Sequence, residues 1–427
     1  MAIDLLYGKG TLTVTPPNRC TPTIIEKTDM PVLTNPATAV ARAIAEPTGS
    51  PPLAELAKNA GSACILICDI TRPVPNGLLL PPLVRTLLDA GLDAASIQIV
   101  VATGLHRPNE GDELAEVVGD PWVMETVEVT NHFARDDAAH VDLGITAKGT
   151  RIRLDRRLVE ADLRIATGLV EPHFMAGWSG GRKVIAPGVA HAETITTFHN
   201  ERFMSHPKVA NCVLDGNPLH EEQIEVVRML GGALAMNAVI DGARNLSFVN
   251  FGEVVASHLG AVEFGRRYVE VAVPRRFPTV VTSAAGYPLD KTYYQTVKGM
   301  VGPLDILEPG GDLIVASRCS EGMGSAEFVD AQQRLVDQGV DSFMAGLAAK
   351  SRADIDEWQT QMQVKSMRAG RVRLYTEGLS AEDAGLTGVE MVASVEDAIA
   401  ESVARHGDHA VAFVPEGPYI VPYHAAE

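Results

Sequence analysis

Apolar positions along the chain fall into short unbroken runs separated by amphipathic stretches. Ala63–Cys68 is apolar throughout, the pattern of a strand buried on both faces. Pro81–Ala90 repeats its apolar residues at helical spacing and stops at Gly91. Ser96–Ala102 predicts a second strand, Arg164–Ala166 closes a third, and Leu234–Ile240 forms another. Strands alternating with helices predict an α/β fold with a largely parallel sheet. The opening segment, Leu5–Val14, predicts a hairpin around a glycine-containing turn. Near residue 270 the pattern restarts, with strands at Thr279–Ser283 and Asp312–Ser317 marking a second α/β unit. Val273–Pro278 holds two prolines and two arginines, which suits an exposed hinge. The expected division is an N-terminal domain over 1–272 and a C-terminal domain over 273–407. A last strand, Ala410–Val414, leaves the tail 408–427 as a candidate to complete the first domain.

Several predicted strands end in polar loops that contain glycine. These are Asp69–Pro73, Thr103–Pro108 and Thr167–His173 in the first domain, and Ala284–Asp290 and Arg318–Gly322 in the second. In open α/β sheets ligands bind beyond the carboxyl ends of the strands, so these loops predict one active-site crevice between the two domains.

Composition narrows the partners. A net charge of −18 argues against nucleic acid or an anionic membrane, both of which need a basic surface. No apolar stretch reaches 18 residues, and Met1-Ala2-Ile3-Asp4 lacks the basic and apolar regions of a secretion signal, so a cytoplasmic location is expected. The five cysteines are scattered. Cys64 and Cys68 would lie roughly 13 Å apart on a strand, too far for a disulfide, and read as small core residues.

An acidic chain that binds anions must place its cations locally. Trp178-Ser179-Gly180-Gly181-Arg182-Lys183 could present amides and two cations to an anion, or be a turn with a solvated Arg–Lys pair. It does not have P-loop spacing. Asp69, Thr71 and Arg72 form a second polar group. Arg72 suits a carboxylate or phosphate through its planar fork, while the plainer reading is a turn that Asp69 caps and Pro73 stops. His106 and His173 each follow a strand-end Thr-Gly-Leu, which suggests bases on opposite sides of one ligand. His132, His140, His258, His406, His409 and His424 lie in polar or terminal contexts that call for no role. His199 reads as a metal ligand or as a helix-terminal hydrogen-bonding group. No His, Cys and carboxylate set has zinc spacing, so any metal must bring most of its own ligands. Tyr294, Gln295 and Lys298 could share one helix face suited to a small acid, or belong to an ordinary amphipathic helix.

Taken together, these residues resemble the nickel-dependent lactate racemase family. The resemblance runs from Tyr7-Gly8-Lys9-Gly10 through both domains. It includes Asp69-x-Thr71-Arg72-Pro73, Thr103-Gly104-x-His106-Arg107, and His173 with Gly177-x-Ser179-Gly180-Gly181-Arg182-Lys183. It continues with His199, Tyr294-Gln295-x-x-Lys298 and Trp358. Each piece is weak; the ordered set is specific. The resemblance implies a nickel-pincer nucleotide, a pyridinium mononucleotide with two thiocarboxyl-derived arms, attached through Lys183, with His199 completing the nickel coordination. It implies that Asp69, Thr71, Arg72, Ser179, Gly180 and Gly181 hold the cofactor. His106 and His173 would be the catalytic pair in a racemisation by proton-coupled hydride transfer. Arg72, Tyr294, Gln295, Lys298 and Trp358 would contact a short 2-hydroxyacid, lactate or a close aliphatic relative. Proteins that synthesise the cofactor would be partners in maturation. Met175 and Trp178 stand where close lactate racemases would carry other residues, and either could reshape the pocket. Without the resemblance, two other classes stay open: a pyridoxal-phosphate enzyme with Lys183 as its Schiff-base lysine, and a non-catalytic carboxylate- or nucleotide-binding relative.

Overall fold

A computed structural model describes residues 1–425. The chain forms two compact α/β units, each built on a six-stranded sheet.

One unit comprises Asp29–Phe198 and Lys208–Arg267. Its sheet runs in the order Leu246–Glu253, Leu234–Ile240, Leu163–Leu169, Ala63–Cys68, Ile97–Ala102, Glu128–Asn131. All neighbours are parallel except the first pair. Ala63–Cys68 is central, with Ile65 beside both Ile99 and Ile165, which accounts for its unbroken apolar run. Ile65, Ile67, Ile99 and Val101 join one core with Leu79, Leu80, Leu83, Val84 and Leu87 of the helix Asn76–Asp89. The short helices Arg156–Glu160 and Arg182–Ile185 also pack on the central strand. The helix expected from Pro81 begins five residues earlier, at Asn76, and carries Pro81 and Pro82 inside it. Those prolines donate no N–H to the carbonyls of Gly77 and Leu78, and burial of the leucine face holds the helix despite this.

The other unit comprises Met1–Thr28, His199–Pro207 and the chain from Tyr268 onward. Its sheet is parallel throughout, in the order Glu390–Met391, Gly370–Tyr375, Leu307–Ala316, Phe277–Ser283, Ala410–Val414, Thr21–Ile24. This differs from the expected division. Residues 1–28 belong with the C-terminal residues, because Thr21–Ile24 pairs with Ala410–Val414 as an edge strand. The tail from 408 stays in the C-terminal unit for the same reason; its residues 426–427 lie outside the described residues. Nor is Val273–Pro278 a hinge: Arg275 pairs with Glu308 and Asp408, and Arg276 with Asp305, all within this unit. The chain passes from one unit to the other within the helix Val254–Val269 instead. The predicted hairpin is present as Ile3–Tyr7 and Gly10–Val14.

A polar node braces the first unit. Asp155 is buried and accepts from Arg157 at 2.6 Å, with the Nδ1 of buried His132 3.0 Å away. The Nε2 of His132 lies 3.0 Å from the Ala190 carbonyl, tying the chain after Lys183 to the hairpin His140–Ile145 and Arg151–Asp155. His132 and His140, read above as needing no role, are thus buried structural residues. Burial alone would raise the Asp155 carboxyl, but Arg157 and His132 outweigh it and hold it well below the usual carboxylate range. Asp155→Asn leaves Arg157 without its anion and disturbs the contact with His132, an expected loss of about 3 kcal/mol measured by urea unfolding. A loss below about 1 kcal/mol would show that the node does not brace the fold.

Candidate active site

In the first unit the chain leaves the central strand Ala63–Cys68 toward one edge, then returns to Leu163–Leu169 on its other side. That reversal is a topological switch point, where α/β sheets leave a crevice beyond the strand carboxyl ends. The loops after Cys68, Ala102 and Leu169 carry Asp69, Thr71, Arg72, His106, His173 and Lys183. Six of the predicted site residues therefore share one end of three adjacent strands.

Their contacts are specific. Asp69 is buried; its Oδ1 accepts from the Thr71 amide at 3.2 Å and the Thr71 hydroxyl at 2.5 Å. Its Oδ2 lies 2.6 Å from Nδ1 of the exposed His106. Burial would raise the Asp69 carboxyl, but the bonds from His106 and Thr71 and the Arg72 charge leave it below the usual range. Arg72 is ion-paired with Glu171, a residue the sequence did not single out. Burial and the Asp69 charge push the Cys68 thiol up to about 11, with the Arg72 and Lys183 charges opposing, so it stays a neutral thiol. The Nδ1 of His173 accepts from the Met175 and Ala176 amides at 3.2 and 3.1 Å.

The loop leading to Lys183 is built around a different residue. Arg182 is wholly buried and donates to the carbonyls of Ala176 and Trp178, both at 3.1 Å, and to Nδ1 of His220 at 2.9 Å. Nε2 of His258 lies 2.7 Å away. No carboxylate is among these partners, and burial pushes the guanidinium below its ordinary value. Burial first, and the Arg182 charge second, hold His258 well below its usual value and His220 down at about 4. Both rings are therefore neutral; Nδ1 of His220 accepts from Arg182, while Nε2 of His258 lies between that guanidinium and the Ser179 carbonyl, 2.9 Å away. Ser179 donates to the Leu169 carbonyl at 2.7 Å and accepts from the Glu171 amide at 3.0 Å, closing the loop onto its strand. Gly180 and Gly181 have positive φ, and a Cβ there would lie 2.7 Å from Val170 and 2.9 Å from His258. The helix Arg182–Ile185 is a single turn, and Lys183 is half-buried on it. Trp178 is fully buried, with Gly265 against its ring. It is a core residue of this unit, so the expectation that it reshapes a pocket does not hold.

In the second unit the helix Tyr293–Val301 buries Tyr293, Thr296, Val297 and Met300, leaving Tyr294, Gln295 and Lys298 half-buried on the rest of its surface. The Tyr294 hydroxyl donates to Asp356 at 3.2 Å, and Ser325 donates to the same carboxylate at 2.6 Å. The Gln359 amide donates to the Tyr294 carbonyl at 2.6 Å. The Oε1 of Gln295 is buried and has no hydrogen-bond partner. The His199 ring lies 4.5 Å from that of Trp358, which is buried.

Residues 7–211 match the lactate racemase N-terminal domain and residues 275–421 the lactate racemase C-terminal domain. Lactate racemase of Thermoanaerobacterium thermosaccharolyticum is 30% identical over 397 residues, covering 90% of this chain and 89% of that protein. The chain belongs to the lactate racemase family. The lactate racemase of Lactiplantibacillus plantarum is 28% identical over 426 residues, 98% of each chain. The solved lactate racemase apoprotein of T. thermosaccharolyticum superposes with a TM-score of 0.89 at 27% identity, covering 99% of this chain and all of that one. A Thermotoga maritima structure at 17% identity and TM-score 0.66, covering 94% of this chain and all of that one, shares the fold. The protein is accordingly a racemase, an isomerase, with the mixed α/β architecture of this family.

Sequence reasoning missed the pairing of Asp69 with His106, the Glu171 partner of Arg72, and the support of Arg182 by His220 and His258. None leaves a local signal, because the partners lie 37, 99, 38 and 76 residues apart. His220 and His258 also predict a pH effect. Each has a folded value below its unfolded value, so the unfolded state binds protons first as pH falls. Stability is expected to decline from pH 6.5 toward about 4, and less steeply in His220→Gln. Parallel urea midpoints across that window would refute this if wild type and variant kept the same slope.

Proposed function

We propose that the protein interconverts the D and L forms of a short 2-hydroxyacid, lactate or a close aliphatic relative, using a nickel-pincer nucleotide. The observation that carries this reading is the cluster at the switch point: one amine, two imidazoles and a guanidinium on three adjacent strand ends. The donor set fits such a group. Among the described residues no three His, Cys, Asp or Glu side chains could together hold a metal. A metal that arrives with sulfur and carbon ligands needs only one further donor, and His199 beside Trp358 is an imidazole suited to nickel. The unsatisfied Oε1 of Gln295 is an acceptor that a bound hydroxyl or other donor would complete.

Lys183 is the residue that would hold the nucleotide covalently, with Thr71, Arg72 and the loop at Ser179, Gly180 and Gly181 around it. When bound, that group supplies a hydride acceptor for the Cα hydrogen, the part of the chemistry that side chains cannot perform. The chain's own residues grip, orient and move the proton. Arg72, Tyr294, Gln295 and Lys298 are assigned to the substrate. Arg72 is held by Glu171, so the charge it offers a carboxylate comes from the edge of its guanidinium that Glu171 leaves. His106 and His173 act at the hydroxyl, where a positioned imidazole is worth about 10²–10⁴ in rate. Trp358, buried with its ring 4.5 Å from that of His199, would close the pocket on that side. A soluble setting and proteins that build the cofactor belong to the same reading; no helix among the described residues is long and apolar enough to cross a membrane.

The deciding experiment is a panel of 2-hydroxyacids offered to protein matured with the nickel cofactor, followed by chiral chromatography. Racemisation of at least one short aliphatic member is expected, and none would overturn the reading. Lys183→Ala is expected to lose both activity and the cofactor's mass in the intact-protein spectrum. His106→Ala and His173→Ala are each expected to keep that mass while losing at least 100-fold in rate. An aldimine-type absorption band abolished by Lys183→Ala would point to pyridoxal phosphate instead.

A further inference from the structure

We propose that His106 and His173 are not an equivalent pair: they enter the reaction as opposite tautomers, His106 as a base and His173 as a hydrogen-bond donor, both at Nε2. This rests on the racemase reading of the site, but the geometry behind it stands apart from any activity.

For His106 the argument is one of acceptors. Nδ1 lies 2.6 Å from Oδ2 of Asp69, whose Oδ1 is already taken up by the amide and hydroxyl of Thr71. An ionised carboxylate only accepts, so the proton between the two sits on Nδ1. The neutral ring then carries its lone pair at Nε2, and the side chain is 63% exposed while Asp69 is 7% exposed. Taking a hydroxyl proton there breaks the O–H bond, forms N–H at Nε2 and leaves an imidazolium that Asp69 faces as counter-charge. This is how a carboxylate orients a catalytic imidazole in the hydrolase triads.

For His173 the same reasoning runs the other way. Its Nδ1 faces the backbone N–H groups of Met175 and Ala176 at 3.2 and 3.1 Å, and an amide N–H can only donate. Nδ1 must therefore carry the lone pair, and the neutral ring holds its proton at Nε2. Forming the imidazolium would point a new N–H at two others. A neutral imidazole held by backbone amides is an electrophile toward a substrate oxygen, a role known from isomerases that polarise a carbonyl this way. His173 thus offers a proton to share and no lone pair at Nε2.

A racemase faces both enantiomers, which makes the asymmetry consequential. The enantiomer whose hydroxyl meets His106 finds a base ready. In this direction the product oxygen takes the Nε2 proton of His173 as Nδ1 gains one from solvent water, and His106 returns its proton to water. Its mirror image, with the hydroxyl at His173, meets a ring that must first move its proton to Nδ1 through solvent water and give up two amide bonds. The enantiomers have equal free energy, so kcat/KM must be the same in both directions. The extra step is expected in the separate constants, with kcat and KM unequal by the same factor.

The test is two-bond 15N–1H correlation spectroscopy on histidine-labelled protein, as apoprotein and with cofactor. Signals are assigned by their loss in His106→Gln and His173→Gln. The expected spectrum shows His106 with a protonated Nδ1 and a pyridine-type Nε2, and His173 with the reverse. Asp69→Asn is expected to release the His106 tautomer, leave the His173 signals in place, and lower kcat by up to about 10⁴, as loss of the orienting carboxylate does in a triad. The same tautomer at both histidines in the wild type would overturn the proposal, even in a fully active racemase. Should Asp69→Asn fail to fold, the wild-type spectrum alone decides. If opposite tautomers occur in a protein that racemises none of the panel, the racemase reading fails and the tautomer assignment stands.

Discussion

The loop between His173 and Lys183 takes its shape from a guanidinium that has left water entirely. Arg182 has five N–H donors and no carboxylate beside it, so its charge is solvated by what the fold can bring: two carbonyls and two imidazoles. Two of those partners, the carbonyls of Ala176 and Trp178, belong to the loop itself, and bonding them to one rigid fork fixes the turn that precedes Lys183. His220 comes from the helix Pro218–Leu230 and His258 from the helix Val254–Val269, so the loop is also tied to two separate elements. A buried cation is costly, and its removal would leave those acceptors unsatisfied at about 1–3 kcal/mol each. Such a group persists where it specifies a conformation, and the conformation here is the one that places Lys183 at the end of the central strands.

The same scarcity of spare partners governs the other side of the crevice. Asp69 looks in the sequence like a ligand for something bound, yet every contact seen for its carboxylate is internal, to Thr71 and His106. Arg72 looks free to grip an anion, yet it is paired with Glu171. The strand-end groups are committed to one another, so orientation is set before any ligand arrives. This is preorganisation: bonds made in the folded protein do not have to be made again on binding. The cost is that a carboxylate ligand must compete with Glu171 for Arg72, or use the face of the guanidinium that Glu171 leaves.

How much of this was legible depended on whether the signal was local. Ala63–Cys68 and Ala410–Val414 were readable to the residue because a strand buried on both faces is apolar throughout, and Leu234–Ile240 because Asn237 alone interrupts its apolar run. The helix start at Asn76 was not, because two prolines imitate an N-terminus and only tertiary burial of Leu79 and Leu80 overrides them. The membership of residues 1–28 was hidden for a related reason: an edge strand such as Thr21–Ile24 has a weak pattern and is defined by the strand it joins, some 390 residues away. The Gly, His, Lys and Arg residues near the switch point were conspicuous in the sequence, because such residues at strand ends stand out against apolar runs. Their partners were not, because Glu171, His220 and His258 look like ordinary polar residues until the fold sets them against a charge.

The glycines between 168 and 181 show the limit of motif reading most clearly. In a sequence, glycine next to lysine suggests a backbone opened to let a phosphate approach. Here a Cβ on Gly168 would stand 2.9 Å from Val184, and one on Gly177 would stand 2.2 Å from the Val213 carbonyl. The absent side chains make room for the protein's own atoms. The loop is therefore tight because it packs around Arg182, and the one-turn helix that follows has too few aligned peptides to act as an anion site. Whatever holds a nucleotide at this end of the sheet must do so mainly through side chains. Under the proposed reading, recognition would fall on Lys183 and Arg72, while Arg182, the more buried of the two adjacent cations, is committed to the loop itself.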